Sequence, residues 1–378
     1  MKTFFFGFAF LFVLKAGAQV DYPVFKQKQM ISPEDSSKLS LNIYNLNYLH
    51  DTEYFTDIPL SGTLFGYQLL PELQYQPTSR FIIKAGVYAQ KEFGRSEYTS
   101  LIPTFSVKYQ AKESSYILGN LEGNINHQFI DPIYDDKLLI KEKLENGFQF
   151  LVNTKPYNHD FYINWRRAIH LGDPFKEEFD VGYSASLNLI DKENFKVKFP
   201  LQMLYSHKGG QIDSTNEPLT SLVNNAVGIS MNYNFGKGFF TDVIFDNYYV
   251  NYKDISGHKR QLFNQGNAYL SHLLLKFKYF DIDLRYWNGN SFINPRGNSL
   301  FSSVSEKYPG LTEKNRELLI TSLIYNTQIF NGADFNFRMS PYYDFYAKRM
   351  EYSFELYFSY RINILLGKLN NSYKAKQK

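Results

Sequence analysis

The sequence predicts an all-β fold: a single antiparallel transmembrane β-barrel of about sixteen strands, within a range of roughly fourteen to eighteen. Three observations predict it. A long period-two strand closes the chain, short and long connections alternate, and an aromatic-rich composition follows an export signal.

The strand spans Tyr352 to Leu366. Tyr352, Phe354, Leu356, Phe358, Tyr360, Ile362 and Ile364 are apolar at every second position, while Ser353, Glu355, Ser359, Arg361 and Asn363 are polar, with Tyr357 among them. Only a β-strand turns a period of two into two faces. The apolar face persists for about thirteen residues, longer than soluble strands usually run and long enough, when tilted, to cross hydrocarbon.

Residues 1–18 read as a signal peptide: Lys2 in the n-region, an apolar stretch from Phe4 to Leu14, and Ala16-Gly17-Ala18 for cleavage. That stretch is too short for a spanning helix. The chain has no cysteine, which excludes disulfides, lipoprotein attachment and thiolate chemistry. The net charge is +4 before Lys2 and Lys15 are removed, so nucleic acid is not an expected partner. The 35 Phe and 31 Tyr coexist with a negative mean hydropathy, so the aromatics are arranged in alternation and not in blocks.

Taken in order, residues 19–38 read as an extended periplasmic segment, 39–366 as the barrel and 367–378 as a basic periplasmic tail. The first strand, Leu39 to Tyr48, changes phase near Tyr44, which suggests a bulge or a short strand. Phe65 to Tyr75 carries Pro71, which argues against a central position, and turns at Pro77-Thr78-Ser79 into Phe81 to Ala89. Phe105 to Tyr109 leads into Tyr116 and Leu118; Phe148 to Val152 into Phe161 to Trp165; Val181 to Leu189 into Phe195 to Tyr205. Val227 to Phe235 leads into Phe239 to Asn251, Leu273 to Tyr279 into Ile282 to Tyr286, and Leu318 to Phe330 through Asn331-Gly332 into Phe335 to Phe345. Seven turns of about two to five residues alternate with eight connections of about six to twenty-nine, as a barrel with two unlike rims requires.

The mature chain resembles the Gram-negative porin-type outer-membrane β-barrel in its leader, dyad-repeat strands, sorted connections and aromatic last strand. The resemblance implies an outer-membrane location, lipid and lipopolysaccharide as surroundings, and insertion by barrel-assembly machinery, with Phe354, Phe358 and Tyr360 carrying the assembly signal. The tail after Gly367 departs from that pattern.

If the aromatic faces meet lipid, the opposite faces line the lumen with Lys84, Lys108, Arg166, Lys196, Lys198, Lys276, Lys278, Arg285, Arg338 and Arg361 against Asp242, Asp246, Asp283, Asp344 and Glu355. That excess of bases suggests an anion-favouring pore; the alternative is charges paired across a filled lumen. The loop from Glu122 to Leu144 holds Asn126, His127, Asp131, Asp135 and Asp136, which could hold calcium or supply a general base. The spacing matches no metal or hydrolase motif, so a solvated acidic loop is expected. Asn126-His127 is similar, faintly, to the rim sites of outer-membrane hydrolases, but no serine partner is marked. Trp165-Arg166-Arg167 suits an interfacial position, and His207-Lys208-Gly209-Gly210 reads as the opening of a loop. The expected function is a non-enzymatic channel without cofactor or metal; the alternatives are a barrel subunit of an envelope machine, docking other envelope proteins through its loops and termini, and an outer-membrane hydrolase.

Overall fold

The computed structural model describes residues 23–26, 31–123, 127–210, 212 and 215–369. The signal peptide, Asn126 and the tail beyond Leu369 lie outside the described residues.

Sixteen strands form a closed barrel in which each pairs with its sequence neighbours and the last with the first. They are β1 (Lys38–Glu53), β2 (Gly62–Thr78), β3 (Phe81–Glu92), β4 (Ser100–Gln110), β5 (Ser114–Asn120), β6 (Asn146–Asn153), β7 (Tyr157–Arg167) and β8 (Glu177–Asp191). The second half comprises β9 (Phe195–Gly209), β10 (Thr220–Asn234), β11 (Phe240–Asp254), β12 (Gln265–Phe277), β13 (Asp281–Asn290), β14 (Asn315–Phe330), β15 (Ala333–Asp344) and β16 (Arg349–Lys368). Closure runs from Lys38 opposite Lys368 to Glu53 opposite Tyr352, so no edge presents unpaired amides to lipid.

The predicted faces of β16 hold: Tyr352 and Leu356 are exposed on the outside, and Ser353, Glu355, Tyr357 and Ser359 are buried inside. Phe354 and Phe358 pair across to Met339 and Phe335, and the Tyr360 ring packs edge-on against Phe330 at 5.5 Å. Leu219, Leu323, Met339 and Phe105 are among the large apolar side chains left facing outward, as a lipid-embedded wall requires.

Several local expectations change. There is no bulge at Tyr44: β1 stays in register from Ser40 onward, and its phase change reflects apolar residues facing the lumen. Tyr44, Leu46 and Tyr48 pack there against Val24 and Phe25, which form a short 3₁₀ turn inside the barrel. Pro71 sits in mid-strand after all. The pairing of β2 with β3 lapses beside it, and Gly86 opposite has no Cβ to collide with the Pro71 carbonyl oxygen, which would lie 2.2 Å away. Lys278 and Tyr279 belong to the turn after β12. The connection 345–348 is shorter than the turn 235–239, so connection lengths of the two rims overlap at that one point.

The lumen is filled. Two long loops fold inward, L3 (residues 121–145) between β5 and β6, and L7 (residues 291–314) between β13 and β14. Phe129, Ile130, Ile133 and Tyr134 of L3 meet Phe292, Leu300 and Phe301 of L7 and wall residues such as Tyr162, Tyr248 and Trp287 in one apolar cluster. The loops also bond to each other, Asn298 N donating to Asp131 O at 2.9 Å and Asp135 N to Arg296 O at 2.8 Å.

Candidate functional site

The inward face explains where most of the charges go. Lys84 pairs with Glu72 at 3.3 Å, Lys108 with Glu122 at 2.6 Å, and Arg285 with Asp283 at 2.7 Å and with Asp131 of L3. Arg338 reaches Asp136 of L3 at 3.4 Å and Glu355 at 3.8 Å, and Asp246 holds His272 at 2.9 Å. Arg166 lies among Glu142, Glu178 and Asp180 at 3.3 to 3.7 Å. Nearer the other rim, Lys196 pairs with Asp191 at 3.5 Å, Asp242 accepts from Asn234 at 2.8 Å, and Lys276 stands opposite Asp242 in register. Arg361 pairs with Asp334 and donates to the carbonyls of Pro23 and Lys26.

The acidic loop is not solvated. Asp131 and Asp136 anchor L3 to the wall through Arg285 and Arg338; the Asp135 amide bonds to L7, and its carboxyl hydrogen-bonds to that of Asp136. His127 is fully buried, its two ring nitrogens 2.7 Å from Asp160 of β7 and 3.0 Å from Glu145. Burial opposes protonation of that ring, but the two carboxylates outweigh it and push its pKa up to about 10. Tyr162 stacks on it at 3.7 Å. A sealed imidazolium between two carboxylates can latch a loop; it cannot meet substrate.

A different histidine meets a serine. His207 lies within β9, not in a loop, and Ser221 lies opposite it at the start of β10. His207 Nδ1 is 2.8 Å from Ser221 Oγ, and the Tyr205 hydroxyl donates to Ser221 Oγ at 3.2 Å. Both residues share the outward strand phase with exposed Met203, out of phase with buried Gln202, Leu204 and Asn224, at the long-loop rim; Ser221 itself is covered to 8% exposure and His207 is half-buried. The register extends the row sideways. Trp165 on β7 faces Phe179 on β8, and Phe179 faces His207. The rings follow in turn, Trp165 stacked on Phe179 at 5.2 Å and Phe179 tilted by 38° against His207 at 4.9 Å. Ile255 continues the row beyond Ser221, its amide donating to Ser221 O. Glu177, opposite Gly209, acts electrostatically on the His207 ring. A serine whose proton is held by a neutral imidazole is an activated nucleophile when the imidazole is free to take the proton.

A closed sixteen-stranded wall, apolar outside and ion-paired within, defines an integral outer-membrane β-barrel. The fold is similar to that of OprD of Pseudomonas aeruginosa, with 11% identity over 90% of this chain and 100% of that one and a TM-score of 0.54. OccAB4 of Acinetobacter baumannii matches 88% of this chain and 100% of its own at 9% identity and TM-score 0.51. OccK5 (OpdH) of Pseudomonas aeruginosa matches 87% and 99% at 11% identity and TM-score 0.51. No curated protein matches the sequence. The model of the lipid A 3'-O-deacylase-type family matches residues 31–369, and the chain belongs to that family.

Proposed function

We propose that this barrel is a hydrolase of acyl esters in the outer leaflet, with Ser221 as nucleophile and His207 as base. The observation that carries the reading is the 2.8 Å contact between Ser221 Oγ and His207 Nδ1 on the outer wall at the long-loop rim. Membership of a lipid A 3'-O-deacylase-type family supports it, because an acyl ester of an outer-leaflet glycolipid would lie alongside such a site. Ser221 Oγ attacks the ester carbonyl carbon while its proton passes to His207 Nδ1. The alkoxide leaving group then takes that proton, and water releases the fatty acid from the acyl-serine by the same route in reverse. Trp165, Phe179 and Ile255 flank the pair with apolar surface suited to an acyl chain. This reading departs from the non-enzymatic expectation, which rested on finding no marked serine beside His127.

The test is mass spectrometry of fatty acid released from purified lipid A in mixed micelles. The wild type releases it, and Ser221→Ala and His207→Ala lower the rate by about 10³-fold or more. Undiminished release by a folded Ser221→Ala protein would sink the reading.

Passage of small polar or anionic solutes is the second reading. It is favoured by an outer cleft of 560 Å³ between the inward loops, and it requires L3 to leave its moorings. Planar-bilayer conductance tests it.

A further inference from the structure

The outer mouth of the barrel contains a feature that the ester-hydrolase reading does not use. The 560 Å³ cleft opens between the loop 54–61, L3 and L7, on the inner side of the wall. Its size falls within the roughly 300–1,000 Å³ of small-molecule sites. Its floor is the short helix Leu138–Lys141, whose Leu139 and Ile140 carbonyls accept from Gln68 Nε2 of β2 at 3.2 and 3.1 Å. Leu138 and Glu142 line both this cleft and a neighbouring chamber of 60 Å³.

We infer that the cleft binds a small organic monocarboxylate with a short apolar tail. One wall is apolar, with Leu60, Leu64, Ile293 and Val304, and the helix presents Lys137 and Lys141. Neither lysine forms a salt bridge among the described residues; the Lys137 ammonium sits 5.6 Å from the centre of the Tyr54 ring. The acids nearby are largely committed. Glu142 is held by Arg296 at 2.9 Å and Arg166 at 3.4 Å, and burial pushes the Asp135 pKa up to about 7, which halves its charge at neutral pH. Glu306 is the other carboxylate at the cleft, and His50 at the edge is bonded to the Tyr357 hydroxyl. Arg166 and Arg296 are taken up by Glu142 and Asp180, so the cleft's own balance is Lys137 and Lys141 against Glu306 and a half-neutral Asp135, an excess of positive charge beside an apolar wall.

The test titrates the full-length protein in detergent with sodium hexanoate, followed by saturation-transfer NMR, with heat-modifiable gel migration confirming the fold. Hexanoate is expected to bind saturably and more tightly than acetate, hexanol or hexyltrimethylammonium. Lys137→Gln with Lys141→Gln should weaken hexanoate about tenfold or more, leaving hexanol as in the wild type. Equal hexanoate affinity in the double variant, no saturation of the folded wild type, or preference for hexyltrimethylammonium would overturn the site. Parity of acetate with hexanoate would remove the tail. Ser221→Ala should bind hexanoate like the wild type; loss there would place the ligand on the outer wall instead and overturn the assignment.

Discussion

His127 Nδ1 stands 2.7 Å from Asp160 Oδ2, so one fully buried imidazolium ties L3 to the barrel wall at β7. The other ring nitrogen reaches Glu145 at 3.0 Å, and Tyr134 of the same loop also donates to Glu145. With its folded-state pKa pushed up to about 10 from an ordinary 6.5, the ring adds stability that is fully present below about pH 6.5 and is lost as pH rises through about 10. Glu145 acts at the other end: its pKa is lowered, against the effect of burial, by the imidazolium, so its share is present above the ordinary carboxylate range and fades on acidification. Hydrogen exchange at the Ile130 and Ile133 amides should therefore be slowest below about pH 6.5 and quicken, beyond the intrinsic rate, between about pH 6.5 and 10. In His127→Gln it should be fast throughout, with little dependence on pH beyond the intrinsic rate. Equal protection in both proteins at pH 7 would show that the latch does not hold the loop.

Gly182 controls the same latch from the next strand. It lies opposite Tyr162, and a Cβ there would come within 1.9 Å of the ring carbon Cε1. Gly182→Ala must displace a buried ring that is stacked on His127, at a cost of about 1–3 kcal/mol. Chemical denaturation should show that loss. A Tyr162→Ala, Gly182→Ala pair should lose less than the sum of the two single changes, because the clash disappears with the ring. Strict additivity would refute the coupling.

The wall was legible because a lipid-facing strand needs nothing but alternation, and residues such as Tyr352 to Ile364 supply it without reference to partners. The lumen was not. Tyr44, Leu46 and Tyr48 broke the expected pattern because the inner face of β1 meets protein in place of water, and nothing local in the sequence says so. The same blindness hid L3, whose aspartates look solvated until Arg285 and Arg338 are brought to them from 154 and 202 residues away. Ser221 and His207 are adjacent only through the β9–β10 register. The available signal was a histidine at the end of an outward face, in a row where Trp165 and Phe179 mark the aromatic girdle.

Arg285 is the charge on which the mooring of L3 turns. It is nearly fully buried and holds Asp283 beside it and Asp131 of L3 across the lumen. Arg285→Met takes the partner from Asp131 and leaves Asp283 with His272 at 3.1 Å, a loss of about 3–5 kcal/mol when one partner of a buried pair is removed. Arg338, 3.9 Å from Asp283, takes up part of that charge, so the lower end of the range is expected. Unfolding by denaturant in detergent reads the stability. Planar bilayers read the consequence for the lumen: steps larger than those of the wild type are expected once L3 can swing free. A stable, silent variant would mean that the remaining anchors, Gln202 and Gln68 among them, hold the plug without it.

Phe179 packs on the histidine of the proposed pair without touching the serine. Its ring centre is 4.9 Å from that of His207 and 5.2 Å from that of Trp165, so the imidazole lies between a tilted aromatic ring and the Ser221 hydroxyl. Phe179→Ala removes that support and lets the ring leave the orientation in which Nδ1 faces Oγ, which should lower kcat about tenfold, as small misplacements of a base do. KM should change little if the acyl chain rests mainly on Trp165 and Ile255. Phe179→Tyr keeps the ring and should restore kcat, separating a positioning role from a general loss of stability. A rise in KM with kcat intact would assign Phe179 to substrate binding, and no change in either would remove it from the site.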